Sequence, residues 1–144
     1  MLTNRRIVRI QWGDCDAAGI VYYPRYFAMF DDSAHALFEA AGWKLTDLQR
    51  EFDMLGVPMV DTRARFLLAS SFSDDIVIES RITTFRTSSF DLEHKVYKPG
   101  RDGDALAIEA TETRVWSGRH PEQPNRLKSK PVPAAVIERM SGGS

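Results

Sequence analysis

The 144-residue chain is predicted to fold as a single α+β domain, one long helix packed against an antiparallel sheet of about five strands. Three observations point there. Residues 24–41 carry apolar side chains at helical spacing over most of the helix surface. After residue 58, four stretches alternate apolar and polar residues with a period of two. Compact turn signals separate those stretches.

The elements follow in order. Residues 5–12, RRIVRIQW, set Val8, Ile10 and Trp12 on one face of a first strand. Pro24 suits the first position of a helix, where its missing N–H loses nothing. Phe27, Phe30, Ala34, Leu37 and Ala41 then follow a 3-4-3-4 spacing, with Tyr26, Met29 and Phe38 widening the stripe. Only a strip with Asp31, Asp32, His35 and Glu39 is left for water, and Gly42 ends the helix. LTDLQREF, within 43–56, reads as a short second helix. Beyond Pro58, Val60, Thr62, Ala64, Phe66 and Leu68 form the inward side of a half-buried strand, opposite Asp61, Arg63 and Arg65. SFSDD is a turn. Ile76, Ile78 and Ile82 mark a third strand, Phe90, Leu92, His94 and Val96 a fourth. After the turn PGRDG comes a fifth, ALAIEATETRVW. Residues 117–144 read as a basic, Pro-rich tail, with SGGS as a frayed end. No repeat or linker divides the chain, so 1–144 is one domain. A single helix covers one face of such a sheet, so the other face or an edge needs cover, and at least a dimer is expected.

Composition narrows the function classes. Hydrophobic residues make up 43% and charged residues 27%, the balance of an ordinary globular protein. A net charge of -1 gives no reason to expect nucleic-acid or membrane-surface binding. No apolar run approaches the roughly 20 residues of a membrane span, and MLTNRRIVRIQW has no signal-peptide character, so a cytoplasmic location is expected. The single cysteine excludes an internal disulfide and fits a reducing compartment. His35, His94 and His120 are too scattered to suggest a metal cluster.

The stretch GDCDAAGIVYYP, 13–24, holds the candidate chemistry. Asp14 and Asp16 lie too far ahead of Pro24 to cap the long helix directly. A D-x-D pair can hold Mg²⁺, but nothing nearby supplies a phosphate loop or a second acidic pair. Cys15 as a nucleophile needs an activating histidine, and a buried, inert thiol is the simpler reading. His94, on the apolar side of its strand, reads as a core residue. A carboxylate at the mouth of an apolar pocket acts as a nucleophile or a general base. The free N–H groups of a helix start hold an oxyanion. Because Pro24 has no N–H, the amide of Tyr23 is the natural donor, and Gly19 lets backbone pass close to a ligand. An acid, a helix N-terminus and aromatic walls within about ten residues suit acyl transfer, and spacing reaches no further.

GDCDAAGIVYYPRYFAMFD resembles the signature of the hot-dog-fold acyl-CoA thioesterases, most of all the 4-hydroxybenzoyl-CoA thioesterase branch with its G-D-C-D-P-A-G-I-V-x-Y-P motif. The resemblance runs over nearly the whole chain, and its D-x-D-x-x-G-x-V-x-Y core is more specific for the superfamily than for any substrate. It implies a hot-dog fold and hydrolysis of an acyl-CoA, with an aromatic acyl group such as 4-hydroxybenzoyl. Asp16 takes the place of the catalytic carboxylate, and the Tyr23 amide that of the carbonyl-polarising donor. Tyr22 falls where an aromatic lines the acyl site, and Gly19, Val57 and Asp32 complete the substrate-binding set. The CoA-binding set is Arg86, Ser88 and Ser89 in FRTSSF, with Arg126 and Lys128 of the tail. Thr87 and Ser88 replace basic residues of the family there, Ala17 replaces a proline, and Val57 replaces a threonine near the active site. No metal or organic cofactor is implied, CoA being part of the substrate. The implied assembly is a dimer or a dimer of dimers with CoA at a subunit interface. The rival readings are a medium-chain or broad-range acyl-CoA or acyl-carrier-protein thioesterase, a hot-dog dehydratase, and a non-catalytic acyl-CoA-binding domain. Pro24 stands where the Tol-Pal-associated branch usually has histidine, and the loop has no dehydratase histidine.

Overall fold

The computed structural model describes residues 1–142. Strand β1 (Thr3–Arg9) leads through a 3₁₀ turn (Trp12–Asp14) to helices α1 (Tyr23–Ala40) and α2 (Leu45–Phe52). Strands β2 (Met59–Phe66), β3 (Asp75–Phe85), β4 (Ser89–Lys98) and β5 (Ala105–Val115) follow, then β6 (Ser117–Arg119), β7 (Leu127–Ser129) and α3 (Ala134–Met140). The main sheet is five-stranded and antiparallel in the order β1-β3-β4-β5-β2. The α+β expectation therefore holds. Chain order alone conceals that β2 crosses to the far edge beside β5.

Register aligns Ile78 with Val96, Ile82 with Leu92 and Val96 with Ile108, so these strands bury one face together. That face meets α1, which ends in a Schellman motif: Trp43 N–H donates to Phe38 O (3.0 Å) and Gly42 N–H to Glu39 O (2.9 Å). Gly42 sits at φ +103°, a conformation that costs glycine little. The buried stripe of α1 is Tyr26, Met29, Phe30, Ser33, Ala34, Leu37 and Phe38. Phe27 and Ala41, expected at its centre, are only half-buried. Arg6 fastens β1 to the helix, its Nε 2.7 Å from Ser33 Oγ and its Nη2 2.9 Å from Met29 O.

Three expectations need correcting. Trp12 does not continue the inward face of β1. The strand ends at Arg9, Ile10 is the last buried residue, and Trp12 stands 77% exposed in the 3₁₀ turn, edge-to-face with Phe72 at 5.6 Å. In β2, Val60, Phe66 and the following Leu68 are exposed rather than inward, because an edge strand lacks a neighbour to cover them. The third concerns 117–142, which is no loose tail. β6 pairs with β7, Val132 N–H donates to Thr87 O (2.8 Å), and α3 buries Val136 and Met140 against Trp43 and Trp116. Each such burial contributes about 1.5–3 kcal/mol. Ser141 and Gly142 also hydrogen-bond back to α3, and the remainder of the expected frayed end, 143–144, lies outside the described residues.

The core has two parts. One joins the C-terminal half of α1 to α2, Trp116 and α3. The other joins Tyr26, Met29 and Phe30 to Val21, Ile76, Val96 and Ile108, and it underlies the 13–24 loop. Among the described residues no helix is long and apolar enough to cross a membrane.

Candidate active site

The 13–24 loop is a set of nested turns. Asp14 Oδ2 accepts the Gln11 N–H (2.8 Å), closing the 3₁₀ turn, and Asp14 O accepts the Tyr22 N–H (2.8 Å) just before α1. Cys15 bridges to Val21. Inside that bridge, Asp16 N–H donates to Ile20 O (3.0 Å) and Gly19 N–H to Asp16 O (2.9 Å), with Gly19 at φ +81°. An L side chain at Gly19 would be strained in that conformation. The turn holds the Asp16 backbone, and Oδ1 accepts the Ala18 N–H at 2.9 Å. Among the described residues Oδ2 has no hydrogen-bond partner, so an exposed carboxylate oxygen stays available.

Asp16 and Tyr23 line one cavity of about 310 Å³ with Ile20, Val21, Tyr26 and the segment Phe66–Ser70. Tyr23 is the first residue of α1, so its N–H has no partner within the helix, and Pro24 offers none. A carboxylate and an unpaired helix-start amide on one mainly apolar cavity can attack a carbonyl carbon and hold the resulting oxyanion. Cys15 is half-buried, with Sγ 3.8 Å from Gln11 O, and among the described contacts no histidine meets it.

Other expected site residues lie outside that cavity. Gly19 shapes the turn but does not line it. Tyr22 is 49% exposed and packs on Tyr23 at 5.5 Å. Val57 is buried in the other half of the core, its carbonyl 3.0 Å from Arg114 Nη1. Asp32 is exposed on α1, and its neighbour Asp31 is the one tied inward, to Arg114 Nη1 at 2.9 Å. Arg114 and Glu112 (2.7 Å apart) continue a buried chain to His94 and Ser80, with the His94 ring stacked on Phe30. His94 is thus a core residue within a polar network.

The CoA-binding candidates fall on two segments, 86–89 and the β6–β7 pair, which meet through the Trp116 N–H to Ser88 O and Val132 N–H to Thr87 O bonds (2.8 Å each). Arg86 forms a bidentate pair with Asp91 at 3.0 and 2.7 Å. That hydrogen bonding holds the Asp91 carboxyl below its ordinary range, with Thr113 adding to the effect, and raises the Arg86 guanidinium. Ser89 Oγ lies 3.5 Å from Arg86 Nη1, and Ser88 O accepts the Trp116 N–H (2.8 Å). Arg126 and Lys128 stand exposed on the β6–β7 segment, far along the chain from FRTSSF.

Sequence reasoning did not single out Tyr26 and Ser70 as site residues. Tyr26 appeared only as a widening of the helix stripe, and Ser70 carried no signal in its small-residue run. Both are buried, at 4% and 1% exposure, and both line the cavity. Burial pushes the Tyr26 phenol up, and the adjacent Ser70 partly offsets this. Among the described residues Ser70 Oγ nevertheless meets no partner in hydrogen-bond geometry.

The family model of the thioesterase-like superfamily matches residues 10–140. The chain is 36% identical over 134 residues to the 4-hydroxybenzoyl-CoA thioesterase of Pseudomonas sp. (strain CBS-3), covering 90% of this chain and 92% of the relative. It is 29% identical over 139 residues to the 1,4-dihydroxy-2-naphthoyl-CoA hydrolase of Thermosynechococcus vestitus, covering 90% and 91% of the two. A crystal structure of an Asp-to-Asn mutant of 4-hydroxybenzoyl CoA thioesterase, complexed with 4-hydroxybenzoyl CoA, superposes with a TM-score of 0.89 at 32% identity. That superposition covers 97% of this chain and 99% of the other.

Proposed function

The chain belongs to the thioesterase-like superfamily, and on that premise we propose that it hydrolyses acyl-CoA thioesters to free acid and CoA, with an aromatic acyl group such as 4-hydroxybenzoyl. The observation that carries this reading is the pairing of Asp16 and Tyr23 on one mainly apolar cavity. The volume supports a compact acyl group, since about 300 Å³ is the lower end of small-molecule sites. The printed names of the relatives support an aromatic one. These considerations favour the aryl reading over medium-chain and carrier-protein substrates.

In the proposed reaction the thioester carbonyl oxygen turns toward the Tyr23 N–H. Asp16 then has two routes. Its free oxygen attacks the carbonyl carbon, the C–S bond breaks, CoA leaves as thiolate, and water hydrolyses the mixed anhydride. Alternatively it takes a proton from a water that attacks the same carbon, and the collapsing intermediate expels the thiolate. In both, the Tyr23 amide stabilises charge that develops only during attack. Neither route calls on a metal or organic cofactor.

We assign Tyr22, Val57 and Asp32 to a wall that a second copy of the chain completes, in a homodimer or dimer of dimers. The exposed Arg126 and Lys128 are free to meet CoA phosphates there, Arg86 and the Ser88–Ser89 pair taking a smaller part because Asp91 already neutralises Arg86. A cytoplasmic setting suits the one free thiol.

The test is thiol release from benzoyl-, 4-hydroxybenzoyl-, phenylacetyl- and short- to long-chain acyl-CoA by wild type and Asp16→Asn. Rapid release from the aryl thioesters is expected, with kcat reduced about 10²–10⁴-fold in the variant. Wild-type turnover by Asp16→Asn removes the catalytic assignment. Preference for aliphatic chains removes the aryl one.

A further inference from the structure

Part of the cavity is walled by loop rather than by strand or helix. β2 ends at Phe66, and the wall continues through Leu67, Leu68, Ala69 and Ser70. We propose that Lys98, the last residue of β4, is a positioning residue that clamps this wall and so sets the fit of the acyl group. The inference rests on the thioesterase reading and adds to it a residue outside the reacting pair.

Three observations carry it. Backbone bonds fix the loop at its two ends. The Leu67 and Leu68 N–H groups both donate to Ala107 O (2.8 and 3.1 Å), and Ser70 O accepts the Val21 N–H (2.9 Å). Between those ends Leu67, Leu68 and Ala69 are exposed, so packing does little to hold them. The second observation is the clamp itself: Lys98 Nζ donates to Ala69 O at 2.7 Å. Among the described residues no other side chain bonds Leu67, Leu68 or Ala69. Third, the ammonium is itself held. Asp74 Oδ2 lies 3.6 Å from Lys98 Nζ and accepts the Ser71 N–H (2.9 Å), so one carboxylate anchors both the cation and the residue after the wall.

Lysine suits this task. Its flexible stem reaches across from the strand end, and its several N–H donors serve a carbonyl and a carboxylate together. A carbonyl that accepts from a cation is held more firmly than one in a neutral pair. The turn around Asp16 closes through its own bonds, Asp16 N–H to Ile20 O (3.0 Å) and Ala18 N–H to Asp16 Oδ1 (2.9 Å). Releasing the wall therefore leaves the reacting carboxylate in place, and the loss falls on binding of the acyl group rather than on the chemical step.

The experiment measures kcat and KM for the fastest acyl-CoA of the panel, and the Ki of free CoA as product inhibitor, in wild type, Lys98→Met and Lys98→Arg. Methionine keeps most of the stem without donors or charge, and arginine returns both. Hydrogen exchange of the 67–71 amides runs alongside, because it reads the wall without turnover. Lys98→Met is expected to raise KM about 5- to 20-fold with kcat within about threefold. The Ki of CoA, which carries no acyl group, should stay within about twofold, and the 67–71 amides should exchange about tenfold faster. Lys98→Arg should restore wild-type values. An unchanged KM, or no rescue by arginine, overturns the inference and leaves thioester hydrolysis standing. So does a Ki for CoA that rises in step with KM, which would make Lys98 a contact for CoA. If wild type releases no thiol from any substrate, the functional reading fails separately. Exchange then decides: faster exchange in Lys98→Met, restored by arginine, supports the clamp, and unchanged exchange overturns it.

Discussion

Asp14 and Asp16 stand two residues apart and do different work. The Asp14 carboxylate is spent on the Gln11 N–H, whereas one oxygen of Asp16 remains free on the cavity. Asp14→Ala is therefore expected to destabilise the fold by about 0.5–2 kcal/mol, the worth of a lost cap. Its effect on kcat should be far smaller than that of Asp16→Asn. Denaturant titration and steady-state kinetics on the two variants check this, and equal kinetic losses would dissolve the distinction. The Tyr23 amide stands out in the sequence because it directly precedes Pro24, while Asp16 is set apart from Asp14 only by the resemblance of GDCDAAGIVYYP to the thioesterase signature. Ser70 could not be picked out, because nothing in its small-residue run sets it apart. Its place on the cavity exists only once β2 has turned back toward the 13–24 loop.

At the scale of elements, the faces of the sheet are joined to α1 by an ionic chain. Arg114, 3% exposed, bonds Glu112, Asp31 and the Val57 carbonyl. Removing one partner of a buried pair leaves the others uncompensated, so Arg114→Ala is expected to cost about 3–5 kcal/mol by urea denaturation. Burial raises the Glu112 carboxyl, but the neighbouring His94 ring, with Nε2 at 3.1 Å, and the hydrogen bond from Arg114 outweigh it, and the net displacement is downward. With the folded value below the unfolded one, the stabilisation is complete above the unfolded value of about 4.3 and is lost as pH falls through the folded one. Wild type should thus lose stability below about pH 4 more steeply than Glu112→Gln. Parallel curves would remove Glu112 from the acid response. The long helix and the four later strands were legible because their periods are long and regular. The tail was not, because proline and charge mask its apolar spacing: Val132, Val136 and Met140 recur every four residues, and all three are buried. Met140→Ala should cost about 2–5 kcal/mol, a core loss that a frayed end would not show.

For the whole molecule, the argument turns on the two sheet edges, β1 and β2. Among the described residues the outer backbone of β2 has no neighbouring strand, and Met59, Val60, Phe66, Leu67 and Leu68 around it are between 42% and 62% exposed. An uncovered edge flanked by large apolar side chains invites pairing, and soluble proteins guard such edges with charge or cover them. The β1 edge is better guarded: Arg5 and Arg9 flank Ile7 and engage Glu79 and Asp75. Pairing is therefore expected along β2, next to the Phe66–Ser70 wall of the cavity. Light scattering should return two or four times the chain mass of 16.3 kDa. Val60→Lys should shift the population toward monomer and, on the proposal that a second copy completes the acyl wall, lower kcat/KM. Ile7→Lys, at the opposite edge, should change neither. Dissociation by Ile7→Lys alone would move the interface to β1, and a fully active wild-type monomer would confine the whole site to one chain.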